Sequence, residues 1–240
     1  MRDTDDAVFE NLKLLTGGTT SARIGKLLNF AVSQMEGDDR YVEVGVFTGS
    51  TLCAASYVNA KVCIGIDNYL PEEMIQITGQ TPEAIQNRCR ANIQCIDNGS
   101  GNVRLIVKSF RDVTKEEIGG PVAVSFIDGK HDYPGVMDNL KWLEPMLADH
   151  AVLVFDDINY IEVSLAIEEW ITQHGHNYDM LAYVKPAYMD GTNMCFIRDR
   201  FLNNGVCILR YHRDPRSNTF SYDPSKLGMT KEQLKGEAPC

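Results

Sequence analysis

From Tyr41 onward, apolar runs alternate with amphipathic stretches, the pattern of a parallel sheet covered by helices on both faces. Strands are predicted at Tyr41–Val46, Lys61–Asp67, Val103–Lys108, Val122–Asp128 and Ala151–Asp157. Helices are predicted between them. In PGVMDNLKWLEPML, Val136, Leu140, Leu143 and Leu147 recur at three- and four-residue steps, which makes one face apolar. Gly175 is the expected stop of the helix after the fifth strand. Two more strands, Tyr178–Val184 and Thr192–Asp199, flank MDGT, whose Asp-Gly pair suits a tight antiparallel connection. Before the first strand, TGGTTSAR leads into a helix with Ser21 or Thr20 as its N-cap. The tail from Phe201 reads as an extra strand plus an arm. The expectation is an α/β fold: a doubly wound, mostly parallel seven-stranded sheet with an antiparallel terminal hairpin.

A chain of 240 residues with 44% hydrophobic residues can bury the core such a sheet needs. The net charge of −10, from 33 acidic and 23 basic residues, disfavours a nucleic-acid surface, which relies on clustered Lys and Arg. A cationic ligand or a metal ion is favoured instead. The acidic start MRDTDDAVFENLK and the lack of a long apolar run predict no membrane partner and a cytoplasmic location. Seven cysteines, with no CxxC pair, indicate neither a disulfide framework nor a zinc site.

VEVGVFTGST joins the first strand to its helix, where open α/β sheets bind nucleotide-containing ligands. A P-loop needs Gly and Lys where this chain has Ser50 and no following Lys. A dinucleotide turn needs Gly where this chain has Phe47. What remains is ExGxxxG: Glu43, Gly45 and Gly49. Its backbone can pass close to an uncharged ribose or amino-acid moiety, and its carboxylate suits an ammonium or sulfonium. Asp67, ending the second strand, has two oxygens to offer both ribose hydroxyls. The plainer alternative is that the glycines only shape the turn and Asp67 is a surface cap.

Together these motifs resemble the class I S-adenosylmethionine-dependent methyltransferases, whose fold is Rossmann-like. The resemblance implies that Glu43, Gly45, Phe47 and Gly49 line the methionine end, Asp67 the ribose, and Ser109 with Phe110 the adenine. Ser50 and Asp128 complete the implied cofactor-binding set. It also implies an N-terminal helical segment (1–40) packed on the cofactor site, a methyltransferase core (41–200) and a C-terminal extension of the same domain (201–240).

Asp128 ends the fourth strand and Asp156-Asp157 the fifth, so their carboxylates would crowd one crevice. They would repel, and one would take up a proton. A divalent cation resolves the conflict, and all-oxygen ligation favours magnesium, manganese or calcium over zinc. FIDGKHDYPGVMDNLKWLEPML followed by LVFDD resembles the metal-dependent small-molecule O-methyltransferases, which include catechol and caffeoyl-coenzyme A types and those acting on macrolide sugars. His131 stands where the catechol type has Lys, as in the sugar-modifying branch. A departure is ADHAV, where the family usually has a Gly pair. The resemblance implies Asp128, Asp156 and Asp157 as ligands of Mg2+ or another oxygen-loving divalent metal. It makes His131 the general base, with Lys130 as the rival, and the acceptor a hydroxylated small molecule such as a sugar or secondary metabolite. Against these stand plainer readings: His131 bonding a loop carbonyl, Asp156-Asp157 capping the next helix, and Lys130 a solvated charge. Asp132 and Asp138 are expected to be cap and surface residues, and Trp142 and Trp170 packing residues. The acceptor pocket is expected around Asn68–Gln80, YIEVS after the double Asp, and the tail, with the N-terminal helix and tail as candidate contacts of a homo-oligomer. Two other functions fit the same residues: a metal-independent N- or carboxyl-methyltransferase with His131 alone as base, and a non-catalytic cofactor-binding protein.

Overall fold

The computed structural model describes residues 3–70, 75, 78–184 and 205–214. Two helices come first, α1 (Asp3–Thr16) and α2 (Ala22–Ser33). Then strands and helices alternate: β1 (Arg40–Val44), α3 (Ser50–Ser56), β2 (Val62–Asp67), α4 (Pro82–Asp97), β3 (Val103–Val107), the short α5 (Lys115–Ile118), β4 (Val122–Ile127), α6 (Tyr133–Leu143), β5 (Leu147–Asp156) and α7 (Ile161–His174). Strands β6 (Tyr178–Val184) and β7 (Val206–His212) follow. The seven strands form one sheet in the order β3-β2-β1-β4-β5-β7-β6. Neighbours from β3 to β5 are parallel, and β7 runs antiparallel to both β5 and β6. Sequence order reverses at the β1/β4 junction, the place where such sheets open a crevice beyond their carboxyl ends.

The period-2 alternation of strand side chains builds two cores. Tyr41, Cys63, Val124, Phe126 and Val154 pack with Ile24 and Leu28 of α2, Leu52 of α3 and Ile85 and Cys89 of α4. On the other face Val42, Val44, Ile64, Ile66, Leu153 and Phe155 pack with Val136 and Leu140 of α6 and Ala166, Ile167 and Trp170 of α7. Strand β4 is buried at every position, which is why it reads as a continuous apolar run. The helix starts follow capping chemistry: Ser21 caps α2, Thr81 with Pro82 behind it caps α4, and Asp132 caps α6 by accepting from Gly135 N at 2.8 Å.

Two expectations need correction. Leu147 is not a fourth helical position. Pro145 cannot continue the helix, a 3-10 turn over Glu144–Met146 follows, and Leu147 opens β5. The first strand stops at Val44, because Gly45 turns to φ +90°. The antiparallel partner of β6 among the described residues comes from the tail, at Val206–His212, paired Met180↔Leu209 and Leu209↔Leu153. The predicted strand at Thr192–Asp199 and its MDGT turn lie outside the described residues. Cys53, Cys63, Cys89 and Cys207 are buried, free, and packed as core residues, whereas Cys95 is exposed. No helix of the described residues is long and apolar enough to cross a membrane.

Candidate active site

The turn after β1 is fastened from both sides. Gly45 N donates to Ile66 O (3.0 Å) and Asp128 N donates to Val44 O (2.9 Å), so the ends of β2 and β4 close on it. Phe47 adopts φ +51°, and its carbonyl accepts from Tyr69 OH at 3.0 Å. Gly49, at φ +81°, precedes α3. Glu43 lies beneath the turn, fully buried, with Oε2 accepting from Tyr41 OH and Oε1 from Thr51 Oγ1, both at 2.6 Å. Burial pushes this carboxyl up to about 8, although both hydroxyl bonds pull the other way. Glu43 therefore reaches the crevice through the turn it supports.

Asp67 has a second task that its sequence position did not disclose. Oδ2 accepts from Val46 N (2.8 Å) and Phe47 N (2.9 Å), and Oδ1 from Tyr69 N (2.7 Å). A carboxylate offers about four lone-pair sites, so the room for two ribose hydroxyls reduces to one, on Oδ1. Asp67→Asn sets an amide NH2 against one side of this fan of N–H donors. It is expected to cost about 1–3 kcal/mol in urea unfolding and to weaken S-adenosylhomocysteine binding in the same variant. Wild-type stability would rule out this anchoring role.

At the carboxyl ends of β4 and β5, Asp128, His131 and Asp157 meet. His131 Nε2 lies 3.0 Å from Asp157 Oδ2 and 3.4 Å from Asp128 Oδ1. Candidate ligand atoms of all three lie within 4.8 Å of one another. Burial works against charge on His131, but the bonds to Asp128 and Asp157 and the field of both carboxylates hold the imidazolium up at about 10. Burial raises Asp128; the His131 bond opposes this and Asp157 adds to it, leaving it at about 6. Asp157 sits at φ +57°, where the chain swings out of β5. Asp156, still in the strand, is buried, and its Oδ1 accepts from Asp157 N at 2.9 Å. Burial, then the charges of Asp128 and Asp157, hold Asp156 well above the usual carboxylate range. Asp156 is thus not part of the convergent group, and His131 takes the place expected for it. The imidazolium offsets part of the repulsion between Asp128 and Asp157. Lys130 is exposed and paired with Asp132 Oδ2 at 2.6 Å.

Ser109 caps the 3-10 turn that begins at Phe110. The Phe110 ring meets Trp142 edge-on at 5.6 Å and lies under the Arg111 guanidinium at 4.7 Å, and Arg111 also pairs with Asp138. The N-terminal segment reaches the turn and Asp128. Thr16 Oγ1 donates to Ser50 Oγ (2.8 Å), and Thr20 Oγ1 lies 3.5 Å from Asp128 Oδ2. Asn92 of α4 donates to both Thr16 O and Thr48 O, stapling that segment to the turn. Sequence reasoning missed Asn92, which sits in a helix whose pattern shows no chemistry; Tyr69 and Tyr160 fall in segments expected to line the acceptor pocket, although neither was singled out there.

Residues 42–158 match a family model described as a methyltransferase domain. No curated protein matches the chain. Among solved structures, the O-methyltransferase TomG from Streptomyces achromogenes, involved in tomaymycin synthesis and solved with S-adenosylmethionine, superposes with a TM-score of 0.58 at 11% identity, over 88% of this chain and 91% of that one. An O-methyltransferase from Bacillus cereus, solved with S-adenosylhomocysteine, gives 0.57 at 13% identity over 89% and 92%. The O-methyltransferase NovP gives 0.58 at 14% identity over 80% and 81%. Identities this low speak for the fold. The matched residues 42–158 span the turn, the Asp128–His131 loop and Asp157, so this part of the chain is similar to a methyltransferase domain and the whole sheet has the Rossmann-like methyltransferase fold.

Proposed function

We propose that the chain transfers the methyl group of S-adenosylmethionine to a hydroxyl oxygen of a small molecule, such as a sugar or a secondary metabolite. The observation that carries this reading is the meeting of His131 with Asp128 and Asp157 beside the β1 turn, an imidazole and two carboxyl groups at one crevice. The cofactor's sulfonium supplies an electrophilic methyl and a positive charge. The residues present suit it: carboxylates face the crevice, and Thr48 Oγ1 in the turn is buried with no hydrogen-bond partner among the described residues. One lone-pair site of Asp67 Oδ1 is left for a ribose hydroxyl.

The same group suits a divalent cation. Asp128 and Asp157 would offer oxygen ligands to magnesium or manganese, with His131 beside them kept as the base. Bound there, such an ion would supply the charge that makes a hydroxyl easier to deprotonate. His131 begins with its proton held by the two carboxylates. Where Asp128 and Asp157 turn to a positive charge in the crevice, that hold weakens, His131 gives its Nε2 proton up to solvent, and the freed Nε2 can take the acceptor's proton. Thr20 and the staple from Asn92 keep the N-terminal segment against the turn and limit the entry of water.

The ion pair of His131 with both carboxylates offsets their charge without a metal, which supports a second reading: a metal-independent transfer in which His131 serves alone as base once the bound sulfonium has drawn the carboxylates off its proton. Dialysis against EDTA separates the two. Under the metal-assisted reading, turnover on a panel of sugar and phenol acceptors falls at least tenfold and Mg2+ or Mn2+ restores it, while S-adenosylhomocysteine binding by calorimetry stays within about twofold. Full turnover after EDTA would establish the second reading. Failure to bind S-adenosylhomocysteine would remove both.

A further inference from the structure

Tyr160 lies two residues from Ile158 and three from Asp157, just before α7. Its amide donates to Asp157 O at 3.0 Å, so its backbone is tied to a residue of the convergent group. Its ring stacks on the His131 ring, with centroids 5.2 Å apart and planes 12° from parallel. One ring face is therefore covered by the proposed base. The residue is nonetheless 46% exposed, and Ile161 beside it is 40% exposed. A flat apolar surface of this kind, left uncovered next to a charged crevice, is the form a ring-binding wall takes.

We infer that Tyr160 is a specificity-determining residue: its outward ring face takes a ring face of the acceptor and sets the acceptor hydroxyl beside His131. This rests on the methyl-transfer reading above and adds a substrate class to it. The acceptor is a ring compound with one flat apolar face near the reacting hydroxyl, whether an aromatic ring or the C–H face of a pyranose. A flexible acyclic alcohol has nothing to lay on this wall. Stacking fixes the plane of the ring, while the tie between Tyr160 N and Asp157 O fixes that plane relative to the proposed base. The expected contribution is that of one aromatic contact, roughly a three- to tenfold change in affinity.

The test uses the full chain and three variants, Tyr160→Phe, Tyr160→Trp and Tyr160→Leu, each first checked for an unchanged melting temperature and for S-adenosylhomocysteine binding. Binding is measured by calorimetry, in the presence of S-adenosylhomocysteine and Mg2+, for 4-nitrocatechol as the aromatic arm, methyl glucopyranoside as the sugar arm and 1,2-propanediol as the acyclic one. The inference expects one ring arm to bind and the acyclic diol not to. It expects Tyr160→Phe to retain that affinity within about twofold, and Tyr160→Leu to lose roughly three- to tenfold. In Tyr160→Trp the same ligand should quench the fluorescence of the new indole. In turnover assays with that ring arm, the Leu variant should show the loss in KM more than in kcat, which a general loosening of the fold would not produce. Equal binding by wild type and Tyr160→Leu, or wild-type binding of no ring arm, overturns the inference while cofactor binding leaves the methyltransferase reading intact. Loss of S-adenosylhomocysteine binding by the wild type overturns both.

Discussion

His131→Ala is expected to lower kcat by about 10²–10⁴-fold, the contribution of a positioned general base, while S-adenosylhomocysteine affinity changes little. The separation follows from geometry. Nε2 lies 3.0 Å from Asp157 and 3.4 Å from Asp128, at the mouth of the crevice, whereas the cofactor turn is held by Asp67, Ile66 and the backbone of β4. Removing the imidazole touches none of those bonds. It does leave Asp128 and Asp157 facing each other without a cation between them. Asp128 already sits high through burial and the charge of Asp157, so in the variant one of the two takes up a proton or a bound divalent ion. Single-turnover assays against the responsive acceptor, with calorimetry of cofactor binding alongside, measure both halves. Added imidazole should recover part of the lost rate in the Ala variant. A variant within fivefold of wild type would rule out His131 as the base, and a parallel collapse of cofactor binding would show that it supports the fold.

The strands that position this site were legible because they are buried on both faces. A strand such as β4, with every residue buried, must be written almost entirely in apolar letters, so the run and its terminal Asp128 stand out. The last strand was harder to place. Val206–His212 ends in a basic, turn-prone tail, and its position between β5 and β6 depends on long-range pairing that leaves no local signal. The site divides in the same way. Sequence shows two adjacent carboxylates at the end of β5, but neighbouring strand residues point to opposite faces, and only the positive φ of Asp157 decides which one enters the crevice. Asp156 is left inside and His131 completes the group. Asp67 was found by its position, yet its fan of three backbone bonds belongs to the turn's conformation and not to any motif. The Tyr160 stack depends on that same turn after Asp157.

Gly45→Ala is expected to be among the most damaging single substitutions in the chain. A Cβ there would stand 2.0 Å from the carbonyl oxygen of Asp128, 2.5 Å from its carbon and 2.7 Å from Gly129 N. All three are backbone atoms, so no side chain can swing aside. The end of β4 must move away from the turn, and with it goes Asp128. The residue also holds φ +90°, which a side chain disfavours by about 1–2 kcal/mol. Overpacking adds about 1–3 kcal/mol, so a loss of roughly 2–5 kcal/mol in urea unfolding is expected, with at least a tenfold loss of S-adenosylhomocysteine affinity. Two other glycines separate the causes. Gly49→Ala, at φ +81°, meets Cys89, with the Sγ at 3.0 Å and the backbone at ordinary contact distance, and Cys89→Ala in the same chain should recover the steric part of its cost. Gly37→Ala, at φ +44° with nothing within 4 Å, carries backbone strain alone and should leave cofactor binding untouched. If Gly45→Ala cost no more than Gly37→Ala, the close approach of β4 to the turn would not be what joins the cofactor end of the crevice to the catalytic end. The joint matters because the cofactor turn and Asp128 come from strands that are neighbours in the sheet and far apart in sequence. Only a residue without a side chain lets the two backbones meet closely enough to bring the proposed cofactor turn and the proposed base into one crevice.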